Sequence, residues 1–262
     1  LQGLIMLILV LLCSASGWIA ALVSIIPAWC IARELTVRMA AMLHGPKRIP
    51  RLALENGIPD DAGVLVSVPV LITGERDIEQ AVEQLETHYL ANSYKNCYFA
   101  VIGDFVDSEF ESLQGEDELI KIARAKTEAL NKKYKPNGDG RNIFYFLHRK
   151  REFSKYDGMY MGHERKRGAI LALTGLIVDA DDEPFCLISS ALPGNIKYCL
   201  TLDADTILPI GELKRLVGAM EHVLNQPEQD ALGVVRSGYG VIVPRMRQSL
   251  TGAAKSRFAA LV

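Results

Sequence analysis

Lys197-Tyr198-Cys199-Leu200-Thr201-Leu202-Asp203-Ala204-Asp205-Thr206 is the stretch that decides the reading of this chain. Residues 198–202 are apolar or β-branched without interruption and too few for a helix, so they read as a buried strand. Two carboxylates follow, two residues apart, then Thr206 and a Pro209 that opens the next helix. On a strand, side chains repeat every second residue, so Asp203 and Asp205 share one face. At the strand's end they leave the sheet at its carboxyl edge, where open α/β sheets bind ligands. Two anions held this close repel each other unless a positive charge lies between them. A divalent cation carrying phosphate oxygens meets that need. The plainer alternative is that an Asp here only forms a turn or caps the following helix.

Upstream of this stretch the pattern alternates between strand and helix. Residues 64–72 form a near-continuous apolar strand of the kind parallel sheets require. Thr73 is placed to cap a helix whose inner stripe is Ile78, Val82, Leu85 and Tyr89. Residues 97–102 make a second strand ending in Gly103-Asp104. A helix over 117–134 points Leu119, Ile120, Ala123, Thr127, Leu130 and Tyr134 inward, and a loop follows at 136–140. Residues 143–147 form a third strand, residues 163–179 a helix with a strongly basic start, and residues 196–202 a fourth strand. The last helix, over 209–224, carries Leu213, Leu216, Val217, Met220 and Leu224 on one side. Strands alternating with helices imply a doubly wound, mainly parallel α/β sheet.

No charge occurs over residues 1–32, and residues 4–26 alone exceed the roughly 20 needed to cross a bilayer. The run is too long for the apolar part of a signal peptide and has no basic residues before it, so a transmembrane segment is expected over 1–32. Trp18 and Trp29 suit an interface, and Pro27 marks a kink or restart. Residues 33–62 read as a basic amphipathic helix followed by a linker punctuated by Pro46, Pro50, Gly57 and Pro59. Arg33, Arg38, Lys47, Arg48 and Arg51 stand against the single acid Glu34, which places the flank and the domain at 63–262 on the cytoplasmic side. With 262 residues, 29 basic and 31 acidic, the chain has neither the charge nor the motifs of a nucleic-acid binder. Five cysteines without paired spacing fit a reducing compartment. A Leu at the start and a mid-pattern Val262 at the end suggest part of a larger polypeptide.

Two further features belong at the same sheet edge as Asp203 and Asp205. Asp104, followed by Asp107 and Glu109, can accept hydrogen bonds from a base or ribose; alone it is equally a turn residue. In His163-Glu164-Arg165-Lys166-Arg167-Gly168-Ala169, three consecutive cations oppose the positive end of a helix dipole. That placement costs stability unless an anion sits nearby, and phosphate suits both the cations and the free N–H groups. The other reading is a solvated basic turn. The P-loop pattern and a Gly-x-Gly-x-x-Gly after the first strand are both absent.

Asp-x-Asp after a fourth strand, an acid after the second and a Lys/Arg-Gly helix start resemble processive GT-A-type glycosyltransferases that use nucleotide sugars. The resemblance narrows with several further motifs. They are Ile49-Pro50-Arg51-Leu52, Gly57-Ile58-Pro59, Glu83-Gln84-Leu85-Glu86 with His88-Tyr89-Leu90-Ala91-Asn92, Glu164-Arg165-Lys166-Arg167-Gly168, Thr201-Leu202-Asp203-Ala204-Asp205-Thr206, and Gly238-Tyr239-Gly240 with Pro244-Arg245. Together they are similar to the glycosyltransferase region of cyclic β-1,2-glucan synthases, from about residue 27 onward. That family is one of large bacterial inner-membrane enzymes that polymerise glucose from UDP-glucose. The resemblance implies that Asp205 binds Mg²⁺ or Mn²⁺, with Asp203 supporting the metal or the ribose. It also implies that Asp104 holds the uridine, that Lys166 and Arg167 face the diphosphate, and that a glucan chain is the acceptor. The catalytic base of related synthases lies in a Thr-Glu-Asp type motif followed by a Gln-x-x-Arg-Trp type motif, neither of which occurs here, so the isolated chain is expected to be inactive as a polymerase. Where the family usually has Gln before Pro-Arg, this chain has Val243.

Two other functions fit the same residues. Asp203-Ala204-Asp205-Thr206 matches the first motif of haloacid-dehalogenase-type phosphatases, with Asp203 as the nucleophile and Asp205 as the acid. A membrane-tethered, non-catalytic nucleotide-binding scaffold is the second.

Overall fold

A computed structural model describes residues 1–15, 17–43, 48–134 and 140–246. Pro46 and Lys47, and the loop read at 136–140 apart from Gly140, lie outside the described residues. The chain divides into two compact units, residues 1–49 and residues 50–262.

In the first unit, α1 (Gln2–Ser14) folds back along α2 (Trp18–Leu43). The apolar run is therefore not one helix from 4 to 26. It breaks at Ser14, whose carbonyl accepts from the Gly17 N–H at 2.9 Å, and Gly17 has a left-handed φ of 107°. Pro27, expected to interrupt a helix, sits inside α2. The apolar segment and the basic segment from Arg33 onward are one continuous helix. Of the described helices, α2 is long and apolar enough to cross a membrane; α1, at 13 residues, is short for that.

In the second unit the elements run β1 (Gly63–Ile72), α3 (Glu75–Ala91), β2 (Cys97–Phe105), α4 (Glu116–Lys133), β3 (Phe144–Arg149), β4 (Glu152–Ser154), β5 (Met159–Met161), α5 (Arg165–Val178), β6 (Phe185–Ile188), β7 (Ile196–Thr201), α6 (Glu212–Met220), β8 (Glu228–Gln229) and β9 (Val235–Ser237). The main sheet has the order β6-β3-β2-β1-β7. All its pairings are parallel except β3 with β6. This is a mixed α/β fold with a mostly parallel central sheet and an apolar N-terminal helix, consistent with the GT-A-like class expected from the sequence.

Every position of β2 and of β3 is buried, and alternate side chains serve two layers. Val64, Val66, Phe99, Val101, Phe144 and Phe146 pack with α3, α4 and α6. Leu65, Ala100, Ile102, Tyr145 and Leu147 pack with Ala169 and Leu173 of α5. Each buried Val, Leu, Ile or Phe among them contributes about 1.5–3 kcal/mol. Ile78, Val82 and Leu85 are buried on α3 as the stripe implies, and Tyr89 packs edge-on against Phe99 and Phe144. The cap of α3 is reversed from expectation. Asp77 Oδ2 reaches back to accept from Thr73 N, Thr73 Oγ1 and Gly74 N, at 2.7, 2.6 and 3.2 Å. Pro209 lies in the loop ahead of α6 rather than inside that helix, and α6 ends at Met220, leaving Leu224 exposed.

Pro69 shapes the functional edge. The β1–β7 ladder ends at Ser67↔Thr201, whereas β1 stays paired with β2 as far as Phe105. A proline has no N–H to offer a second neighbour, so it is tolerated where one side of the strand is unpaired. Beyond this point β7 and β1 part. They do so where the strand order reverses, since β1 is flanked on one side by β2 and on the other by the last parallel strand.

Candidate functional site

The two acids after β7 are in a turn, not on the strand. Thr206 N donates to Asp203 O at 2.9 Å, and both Asp203 and Asp205 are exposed. The shared-face argument therefore does not apply to them; what brings them together is the turn. Behind it the chain is strapped to α3. Gln84 Nε2 donates to Thr206 O, Asn92 Nδ2 donates to Pro209 O, and Asn92 Oδ1 accepts from Leu213 N, at 3.2, 3.1 and 3.1 Å. Asn92 is fully buried, so this anchor is held by hydrogen bonds that water cannot replace.

The basic start of α5 meets this turn directly. Lys166 Nζ pairs with Asp203 Oδ1. Its neighbours are also matched: Arg165 with Asp107 at 2.6 Å and Arg167 with Glu164 at 2.5 Å. The three cations thus each have a carboxylate partner instead of standing free for an anion. All three pairs are at least partly exposed, a class worth about 0–1 kcal/mol, so an incoming phosphate can exchange with them at little cost. Asp205 has no hydrogen bond or ion pair among the described residues.

Asp104 lies inside β2, not after it, and is only 7% exposed. Its register partner is Leu71 on β1, and β1 stands between it and β7, a separation of about 10 Å from strand spacing. Both carboxylate oxygens are bound by Arg149, through Nε at 2.7 Å and Nη2 at 2.5 Å. The same guanidinium donates to His163 O at 3.1 Å and Arg165 O at 3.0 Å, so it ties the tip of β2 to the start of α5. Glu164 and Arg165 have φ of 50° and 49°, left-handed values that cost on the order of 1 kcal/mol or more for non-glycine residues. Gly168 is required here: a Cβ would collide with His163 O and lie 2.9 Å from Arg149 Nη1.

A second buried pair lies beside the first. Arg151 forks onto Glu116 at 2.8 and 2.5 Å and donates to Val106 O at 2.8 Å. Burial raises the Glu116 carboxyl, but Arg151 and the Leu113 N–H more than offset this and hold it below the usual range. His148 sits between Phe105 and Phe146, and burial pushes it down to about 4. The sequence reading gave no role to Arg149, Arg151 or Glu116, and named Asn92 only within a motif. The doublet of arginines directly after an apolar strand was the available signal.

Asp203 and Asp205 suit a hard cation. Mg²⁺ commonly takes one or two carboxylates and completes its shell with water and phosphate oxygens. Among the described residues no group of three or more His, Cys, Asp or Glu comes together as a protein cage for an ion.

No family model matches the chain. It is 35% identical over 207 residues, 79% of its length, to the cyclic beta-(1,2)-glucan synthase NdvB of Rhizobium meliloti (strain 1021). The chain corresponds to a region of the cyclic β-(1,2)-glucan synthase family. It spans about 7% of the length of that relative. Against this family, the turn with Asp203 and Asp205, the Lys166-Arg167-Gly168 helix start and the Asn92 anchor all lie around one edge of the sheet.

Proposed function

We propose that this chain is the donor-binding part of a membrane-bound glycosyltransferase that takes glucose from UDP-glucose for a growing β-1,2-glucan. The observation that carries the reading is the meeting of the basic turn opening α5 with the acidic turn closing β7, through Lys166 and Asp203. Acids and cations that meet where two strands part at a topological switch point are what a metal-bridged diphosphate needs.

In this reading Asp205, supported by Asp203, holds Mg²⁺ or Mn²⁺. Such an ion, when bound, offsets the negative charge that builds on the UDP leaving group. Lys166 releases Asp203 and turns to the diphosphate, with Arg167 beside it. Asp104 serves the uridine side with its remaining lone pairs, its orientation fixed by Arg149. The proton of the attacking acceptor hydroxyl is not assigned to any side chain of this chain. Helix α2 lies in the bacterial inner membrane with the basic flank and the catalytic unit on the cytoplasmic side. The remaining partners are the glucan acceptor and the rest of a larger polypeptide. The phosphatase alternative is not favoured: the matched relative is a glucan synthase, and Asp203, in the turn after β7, is paired with Lys166 of α5.

The test is calorimetric binding of UDP and UDP-glucose to the full-length protein, with and without Mn²⁺. Binding that requires Mn²⁺ and is lost in Asp205→Ala is the expected outcome. Metal-independent binding, or none, overturns the reading, and a phosphoenzyme trapped on Asp203 would favour the phosphatase.

A further inference from the structure

We propose that Arg149 is the positioning residue of the phosphate-binding turn: its buried guanidinium sets Lys166 against the donor by clamping the backbone just ahead of it to the tip of β2. The inference rests on the donor-site reading above and adds to it a residue that touches neither sugar nor phosphate.

Arg149 is 6% exposed and sits at the last position of β3, with its guanidinium spent on protein partners. Four hydrogen bonds account for its geometry. Two go to the Asp104 carboxylate and two to the carbonyls of His163 and Arg165. Those carbonyls flank Glu164, and Glu164 and Arg165 are the two left-handed residues. A strained pair of this kind persists only where its surroundings over-determine it, and here the guanidinium holds the carbonyls on either side. Lys166 is the next residue, so the direction in which its side chain leaves the helix follows from the clamp.

The space around the clamp is closed. A Cβ on Gly162 would lie 2.9 Å from Asp104 Cγ and 3.1 Å from Arg149 Nη2, and one on Gly168 would meet His163 O and Arg149 Nη1. The planar fork of an arginine matches a carboxylate and two carbonyls at once; a lysine ammonium is a point charge and cannot hold all four in place. Asp104 gains a second meaning from this. It is the counter-charge that lets Arg149 stay buried, so the acid of β2 and the lysine of α5 are mechanically joined although one strand separates Asp104 from the acids of β7.

A double-mutant cycle in the full-length protein tests the inference, read as UDP affinity in Mn²⁺. Arg149→Lys is expected to weaken UDP binding about tenfold, the scale seen when residues that orient a ligand-binding shell are changed. In a Lys166→Met background the same substitution is expected to change affinity by less than about twofold, because its effect passes through Lys166. Equal losses in the two backgrounds overturn the proposal and assign Arg149 to general stability. If Arg149→Lys does not fold, Gly162→Ala takes its place: its Cβ would press on the side chains of Asp104 and Arg149 without removing a charge, and it is expected to show the same dependence on Lys166. Wild-type protein that fails to bind UDP refutes the donor-site reading and this inference together, whereas binding by the wild type with an additive cycle refutes the inference alone.

Discussion

The carboxyl edge of the sheet holds its acids in two contrasting ways. On the β2–β3 side, Asp104 and Glu116 are buried, each gripped by both ends of an arginine fork. On the β7 side, Asp203 is exposed with a single lysine contact and Asp205 is exposed with no partner among the described residues. The chemistry is the same, carboxylate and cation, but burial changes what it does. Breaking a buried pair strands a charge in a poor solvent and costs about 3–5 kcal/mol, while an exposed pair is worth about 0–1 kcal/mol. One side is therefore fixed framework. The other can trade partners with a ligand.

The largest expected effect breaks the framework side. Arg151→Ala leaves Glu116 buried without its partner and is expected to lower unfolding stability by about 3–5 kcal/mol in urea titration. A loss under about 1 kcal/mol would show that the two sides do not differ. Acid comes next. Burial holds His148 at about 4, below its ordinary value near 6.5. The folded state thus resists a proton that the unfolded state accepts. The contribution is complete above about pH 6.5 and is lost as pH falls toward 4, on the order of 3 kcal/mol at most. His88, lowered by burial as well, acts in the same direction. Comparing urea midpoints at pH 7 and pH 4.5 for wild type and His148→Phe isolates the share of His148, which the substitution should remove. The smallest effect sharpens the contrast from the other side. Asp205→Ala is expected to leave stability within about 0.5 kcal/mol while abolishing Mn²⁺-dependent UDP binding. A large loss of stability would mean that Asp205 belongs to the framework after all.

The sequence revealed the sheet best where burial is complete on both faces. Residues 64–68 and 97–102 are apolar almost without a break because helices cover them from either side. The α3 stripe was equally legible, since three of its four positions are buried at helical spacing. The Asp-x-Asp pair was visible because it follows a strand. Strand β6 was not: Phe185-Cys186-Leu187-Ile188 is too short to show a period, and it pairs antiparallel at an edge. The two buried ion pairs were hidden for another reason. Arg149 and Arg151 find their acids 45 and 35 residues away, and Arg149-Lys150-Arg151-Glu152 looks like a solvated loop until the tertiary contacts exist. The partners of the α5 cations were hidden in the same way: Arg165 and Lys166 face Asp107 and Asp203, 58 and 37 residues away.

The unbroken course of α2 across residues 32 and 33 has a mechanical consequence. A helix turns about 100° and rises about 1.5 Å with every residue, so a single-residue deletion among the apolar positions rotates Arg33 and Arg38 by nearly a third of a revolution. Rotation of the greasy half is passed on to the charged half, because the backbone runs through Pro27 without leaving the helix.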